Sequence, residues 1–248
     1  MISPKGSEKE RYHIKESFKK MTFKEKVKYI AAYYKFPIIT AFIAAAVLIS
    51  TAVERANRKE PVLYTAFANV GVGETLLGHL TDEYLEFAGK TSKQGVTVYQ
   101  ELYISDDPSS DNHQYAYASR LKVLGAVSSK TLDVAIMNKE AYDLFSSSGF
   151  LCNIDDLIRQ DSSLYTELSG LITKNTVIID DNAIEYDLGE ADEYTAETIE
   201  IPNGLDISGA PCIENAGFGD SVYLGIIENS THKDEALSFI GYLFEPYP

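Results

Sequence analysis

Tryptophan is absent from the 248 residues, cysteine occurs twice and histidine four times. Two cysteines cannot build a disulfide-dense secreted scaffold or a paired C-x-x-C zinc module. The histidines (His13, His79, His113, His232) form no H-E-x-x-H pair, so no zinc-hydrolase motif is present. There is no G-x-S-x-G elbow, and Cys152 has no histidine close to it in sequence. Positive charge is also scarce: 22 Lys+Arg against 37 Asp+Glu leave −15. An acidic body argues against nucleic acid as a partner, because both would be anionic. What remains, 45% hydrophobic and 24% charged residues, is a globular composition that excludes disorder along the whole length.

The charge is unevenly divided. Residues 1–35 hold ten Lys/Arg and four Asp/Glu, so residues 36–248 carry −21. Between them lie 18 consecutive uncharged residues, Phe36 to Val53 (FPIITAFIAAAVLISTAV). As a helix this run is about 27 Å long, close to the ~30 Å hydrocarbon core of a bilayer. It is expected to be a single transmembrane helix over 36–53. The lysines before it outnumber Arg55, Arg58 and Lys59 after it, which places the N-terminus in the cytoplasm and the C-terminal part outside the cell membrane. The small residues Ser50-Thr51-Ala52 keep a cleaved signal peptide as the rival reading. Upstream, Thr22-Phe23-Lys24-Glu25 has the form of a capping box. A juxtamembrane amphipathic helix is expected over 22–35, lying on the bilayer or continuing the span. Residues 1–21 read as a basic tail and 54–60 as a charged linker, leaving one extracytoplasmic α/β domain over 61–248.

Strands are expected at 62–70, 96–104 and 132–137. They alternate with helices at 74–88 (stripe Leu77, Leu80, Tyr84, Ala88), 115–128 (Ala118, Leu121, Val123, Leu124) and 139–146, the last capped by Asn138. This alternation is the pattern of a mainly parallel sheet. Short strands around Val177–Ile179 and Ile199–Ile201 flank the stretch 180–200, which has nine Asp/Glu and no basic residue. It lacks the order of a calcium loop and reads as a solvated acidic surface. A last strand, 222–227, precedes a helix from Thr231 with Ala236, Phe239, Ile240 and Leu243 inward. Gly71-x-Gly73 sits at a strand-to-helix turn without a third glycine, and Glu74 would repel a phosphate. Asn229-Ser230-Thr231 fits a glycosylation acceptor and, equally well, a helix N-cap. Cys152 and Cys212 are open to either a disulfide or two buried thiols.

Three segments, in order, resemble the extracellular solute-binding proteins of ABC importers. They are Leu132-Asp133-Val134-Ala135-Ile136; Gly149-Phe150-Leu151 with Ile154-Asp155-Asp156-Leu157; and Tyr223-Leu224-Gly225-Ile226 with Asn229-Ser230, Glu235-Ala236, Phe239-Ile240 and Tyr242-Leu243. The resemblance implies a type II periplasmic-binding-protein-like α/β lobe with a mainly parallel sheet, here preceded by the membrane helix. The family's second lobe would be reduced to about 158–221, and its lipid-attachment cysteine is missing. The expected function is noncovalent recognition of a small solute, a glycan or a partner protein, without catalysis, cofactor or metal. The alternative is an interaction subunit of a membrane protein complex that has lost its ligand. Ligands would meet the carboxyl ends of the strands, at Asn69, Gly71, Gly73, Ser105, Asp107 and Asn138.

Overall fold

The computed structural model describes residues 22–24, 26, 28, 35–57, 59–107, 112–218 and 221–246. The chain divides into two compact units at 58/59.

The first unit contains one long helix, α1 (Lys35–Asn57, 23 residues). Phe36, Phe42 and Leu48 on it are exposed. Thr40 Oγ1 and Thr51 Oγ1 donate back to the carbonyls of Phe36 and Leu48, at 2.9 and 3.0 Å. Among the described residues no helix is long and apolar enough to cross a membrane. This overturns the transmembrane helix expected over 36–53. The uncharged run is about 3 Å short of a hydrocarbon core, and its five alanines, Thr40, Ser50 and Thr51 dilute its apolarity. Of the amphipathic segment 22–35, residues 23, 24, 26 and 28 are helical, and the Lys26 N–H donates to Thr22 O at 3.0 Å. Glu25 and the basic tail 1–21 lie outside the described residues. The expected linker 54–60 is helical as far as Asn57, and Glu60 already belongs to the first strand.

In the second unit β1 (Glu60–Ala68) leads to α2 (Glu74–Gly78), a π-turn over His79–Glu83 and α3 (Tyr84–Phe87). Then come β2 (Gln94–Leu102), α4 (His113–Ser128), β3 (Val134–Met137) and α5 (Lys139–Ser147). Two short helices, α6 (Ile154–Ile158) and α7 (Ser162–Leu168), precede the hairpin of β4 (Ile172–Asp181) and β5 (Ala196–Asp206), which is bridged by α8 (Ala183–Asp187). The chain closes with α9 (Pro211–Ala216), β6 (Tyr223–Ile226) and α10 (Lys233–Leu243).

The six strands form one sheet in the order β2-β1-β3-β6-β5-β4. Alternation along β1 and β3 puts Leu63, Phe67, Val134 and Ile136 on one face and Ala66, Ala68, Ala135 and Met137 on the other. The first face is covered by α2, the π-turn, α3, α6, α7, α9 and α10 through Leu76, Leu80, Tyr84, Ile158, Leu168, Ile213 and Phe239. The second is covered by α4 and α5 through Val123, Ala126, Tyr142 and Phe145. The result is a sheet between two helical layers.

The fold class needs a second correction: the sheet is not mainly parallel. β1 pairs parallel with β2 and with β3, but β3–β6, β6–β5 and β5–β4 are antiparallel, three pairings out of five. The connections explain this. Helical crossovers join β1 to β2 and β2 to β3, as a parallel pair requires. After α7 the chain returns by a hairpin, and β6 runs back between β3 and β5.

Candidate functional site

The crossover from β1 to β2 lies on one face of the sheet and the crossover from β2 to β3 on the other. The carboxyl ends of β1 and β3 therefore flank a topological switch point, where open α/β sheets form a crevice. Asn69 and Asn138 stand on its two sides. Asn69 has φ +57°, a left-handed conformation that Asn tolerates. Its Nδ2 donates to Ile104 O at 2.6 Å, and its Oδ1 accepts the Ile104 N–H at 2.8 Å, extending the β1–β2 ladder beyond Leu102. Nδ2 also reaches Asn138 Oδ1 at 3.2 Å. That oxygen accepts the Ala141 N–H at 3.0 Å, so Asn138 caps α5 as the sequence led us to expect. The Asn138 Nδ2 group has no partner among the described residues.

Ser105 is buried and its hydroxyl accepts the Asp107 N–H at 3.3 Å. Its carbonyl is held by Arg120, which also pairs with Asp106. Asp107 is exposed. The six residues chosen from sequence thus fall into three pairs. Ser105 and Asp107 bond to each other beyond β2, whereas Asn69 and Asn138 tie together the ends of β1, β2 and β3, Asn69 opening the loop after β1. Gly71 and Gly73, further along the same loop, line a hollow of about 240 Å³ with Glu74, Leu76, Cys212 and Phe218. Burial pushes the Cys212 thiol up to about 11, so it is neutral and unreactive at pH 7. Neither glycine has a positive φ, and a Cβ added to either would meet nothing within 4 Å.

Sequence reasoning missed a polar node at the other end of β3. Asp133 is fully buried, and its Oδ2 accepts the Tyr64 N–H at 2.9 Å. Its Oδ1 accepts Ser230 Oγ–H at 2.6 Å, and the His232 ring lies against both oxygens, Nδ1 at 3.1–3.2 Å. Ser230 therefore does not cap α10. Its hydroxyl is bound to Asp133 and accepts the backbone N–H of His232 at 3.1 Å. A Ser, a His and an Asp meet here, but the hydroxyl faces the carboxyl group and not the imidazole. A serine nucleophile needs the imidazole contact to lose its proton. The node ties β1, β3 and the β6–α10 turn. A second missed histidine, His79, has Nδ1 2.8 Å from Glu83 Oε2 and 3.0 Å from the Tyr242 hydroxyl, beside an open cleft of about 420 Å³. The π-turn over 79–83 gives it this position: the extra residue in the turn rotates the helix so that Leu76, not Leu77, joins Leu80 and Tyr84 in the core.

Among the described residues no group of three or more His, Cys, Asp or Glu side chains is placed to hold a metal ion. Cys152 and Cys212 are both free and buried, which answers the question their spacing left open. No protein-family model matches the chain, and no curated protein or solved structure matches it. The ends of β1 and β3 thus present an Asn138 amide donor without a partner among the described residues, and the hollow at Gly71 and Gly73 presents open backbone.

Proposed function

We propose that residues 59–248 form a noncovalent binding domain related to the solute-binding proteins of ABC importers, taking a small polar solute or a glycan at the crevice between β1 and β3. The relationship would place the domain outside the cytoplasm. The three segments that carry the resemblance support it by converging in space. β3 pairs with β6, and Leu151 bridges Ile227 next to α10. The observation that carries the binding reading is the pair Gly71 and Gly73. Neither backbone conformation nor packing requires glycine there. A residue without a Cβ is needed where a ligand approaches the main chain, and the unpartnered Asn138 amide donor lies at the same strand ends.

The test is thermal shift of the full chain against amino acids, sugars and short peptides. A solute at about 100 times its Kd adds about 2.7 kcal/mol, roughly 5–10 °C for a domain of this size. The double variant Gly71→Ala/Gly73→Ala should keep or slightly raise the unliganded Tm and lose the solute-induced shift. Asn138→Asp, which keeps the cap but not the N–H donor, should lose it too. If no solute raises Tm, the crevice reading fails. A second reading, an interaction subunit without a ligand, is favoured by the Asn69 amide, whose donors and acceptor are already engaged by Ile104 and Asn138.

A further inference from the structure

The β4–β5 hairpin is secured at its base and bare at its tip. At the base, Tyr142 donates to Asn203 Oδ1 at 2.9 Å, Asn203 Nδ2 donates to Ser146 Oγ at 2.7 Å, and Ser146 donates to Thr176 O at 2.8 Å. β5 pairs with β6 only through Leu205 and Asp206. Beyond this base, residues 179–181 of β4 and 196–200 of β5 are exposed. A two-stranded ribbon has no core of its own, and a solvated tip should carry polar side chains. This one exposes Ile179 (51%), Ile199 (45%), Ile184 (73%) and Leu188 (69%). Ile184 on α8 and Leu188, its C-cap, lie one turn apart, the Leu188 N–H donating to Ile184 O at 3.0 Å, and so share a face. Beside them Tyr186 and Tyr194 meet edge to face at 6.3 Å, with the Tyr194 hydroxyl donating to Asp181 at 3.2 Å. Apolar and aromatic side chains held in place and left in water are the anchors of a protein interface.

Charge selects the occupant. Around these anchors the stretch 180–200 carries nine Asp/Glu and no Lys or Arg. A second hairpin of the same kind would be repelled, as would nucleic acid and an anionic lipid surface. We infer that the β4–β5 tip with α8 docks a cationic, amphipathic segment of a partner protein, whose apolar stripe covers Ile184 and Leu188 and whose lysines or arginines face the surrounding carboxylates. The inference is independent of the crevice and deepens the second reading by giving the partner's chemistry.

The test uses the full chain and a fluorescent synthetic peptide of leucine and lysine patterned as an amphipathic helix. Its two controls are the same peptide with glutamate for lysine, and a lysine–serine peptide without the apolar stripe. Fluorescence anisotropy should show binding of the first peptide that weakens as salt rises, and no binding of either control. Ile184→Ser/Leu188→Ser should weaken it at least tenfold. Because both side chains are exposed, Tm should stay within about 2 °C. Equal affinity of the double variant, or equal binding of the lysine–serine peptide, overturns the inference. So does light scattering that finds a dimer dissolved by the same double variant, because the tip would then be covered by a second copy. Gly71→Ala/Gly73→Ala should bind the peptide normally, which separates failure here from failure at the crevice.

Discussion

Asp133 and Thr65 are two buried polar residues with opposite consequences. Asp133 satisfies Tyr64 N–H, Ser230 Oγ–H and the His232 ring, all through one carboxyl group with no exposure. Asp133→Asn puts an N–H2 against groups that themselves donate, leaving buried donors unpaired. It should cost about 3 kcal/mol in urea denaturation. Thr65, opposite Val134 in the parallel pair, has a buried Oγ1 with no hydrogen-bond partner. Thr65→Val removes that orphan at nearly constant shape and should raise stability by about 1 kcal/mol. A loss in the second case, or none in the first, would contradict the hydrogen-bond assignment. Neither effect was legible in the sequence. The partners of Asp133 lie 69 to 99 positions away, and only the fold brings them together.

At the scale of elements, glycines mark where the layers come closest. A Cβ on Gly204 in β5 would fall within 2.7 Å of Tyr142 Cε2, and one on Gly225 in β6 within 2.7 Å of Leu151 Cδ2. The two sites differ in what can yield. The Tyr142 ring is held by hydrogen bonds to Thr173 and Asn203 and stacks on Tyr223 with 4.9 Å between centroids. The Leu151 methyls end a flexible side chain. Gly204→Ala should therefore cost about 3 kcal/mol and Gly225→Ala about 1 kcal/mol, in that order in urea melts; the reverse order would show that the Tyr142 ring is free to move. Element positions were readable where one face alone was apolar. On α10 the expected stripe Ala236, Phe239, Ile240 and Leu243 is the buried one. On α4 both faces carry apolar residues. Ala116, Ser119, Val123 and Ala126 go inward, while Leu121 and Leu124 line an open groove toward α5. Period alone does not tell a small-residue face that fits closely on a sheet from a leucine face left in solvent. The parallel start was legible because helices separate its strands. The antiparallel half was not, because short strand signals around an acidic loop fit a hairpin of any length and any place in the sheet. In the same way, Asn69 and Asn138 were recognisable as strand-end polar residues, but not as partners of each other.

For the molecule as a whole, burial of neutral acids sets how stability depends on pH. The Cys152 thiol is pushed up to about 12 and that of Cys212 to about 11, both by burial. Burial likewise raises the hydroxyls of Tyr84 and Tyr142. Each group has a folded pKa above its unfolded value, near 8.5 for cysteine and 10 for tyrosine. The unfolded chain therefore releases these protons first as pH rises. Their contribution is complete below about pH 8 and declines from there toward the folded values. The formal charge of −15 becomes more negative over the same range, which adds self-repulsion. Urea stability should hold between pH 7 and 8 and fall steadily from about pH 9. In Cys152→Ala/Cys212→Ala the fall should begin later, near pH 10, where the tyrosines take over, even though the double variant starts from a lower value because it loses buried volume. An aromatic disulfide reagent gives the second readout: with neutral, buried thiols, the native protein should react slowly at pH 8 and both cysteines promptly in denaturant. Rapid reaction of the native protein, or a stability curve flat to pH 10, would mean that the thiols lie open to solvent and that the first core layer is not closed around α6 and α9.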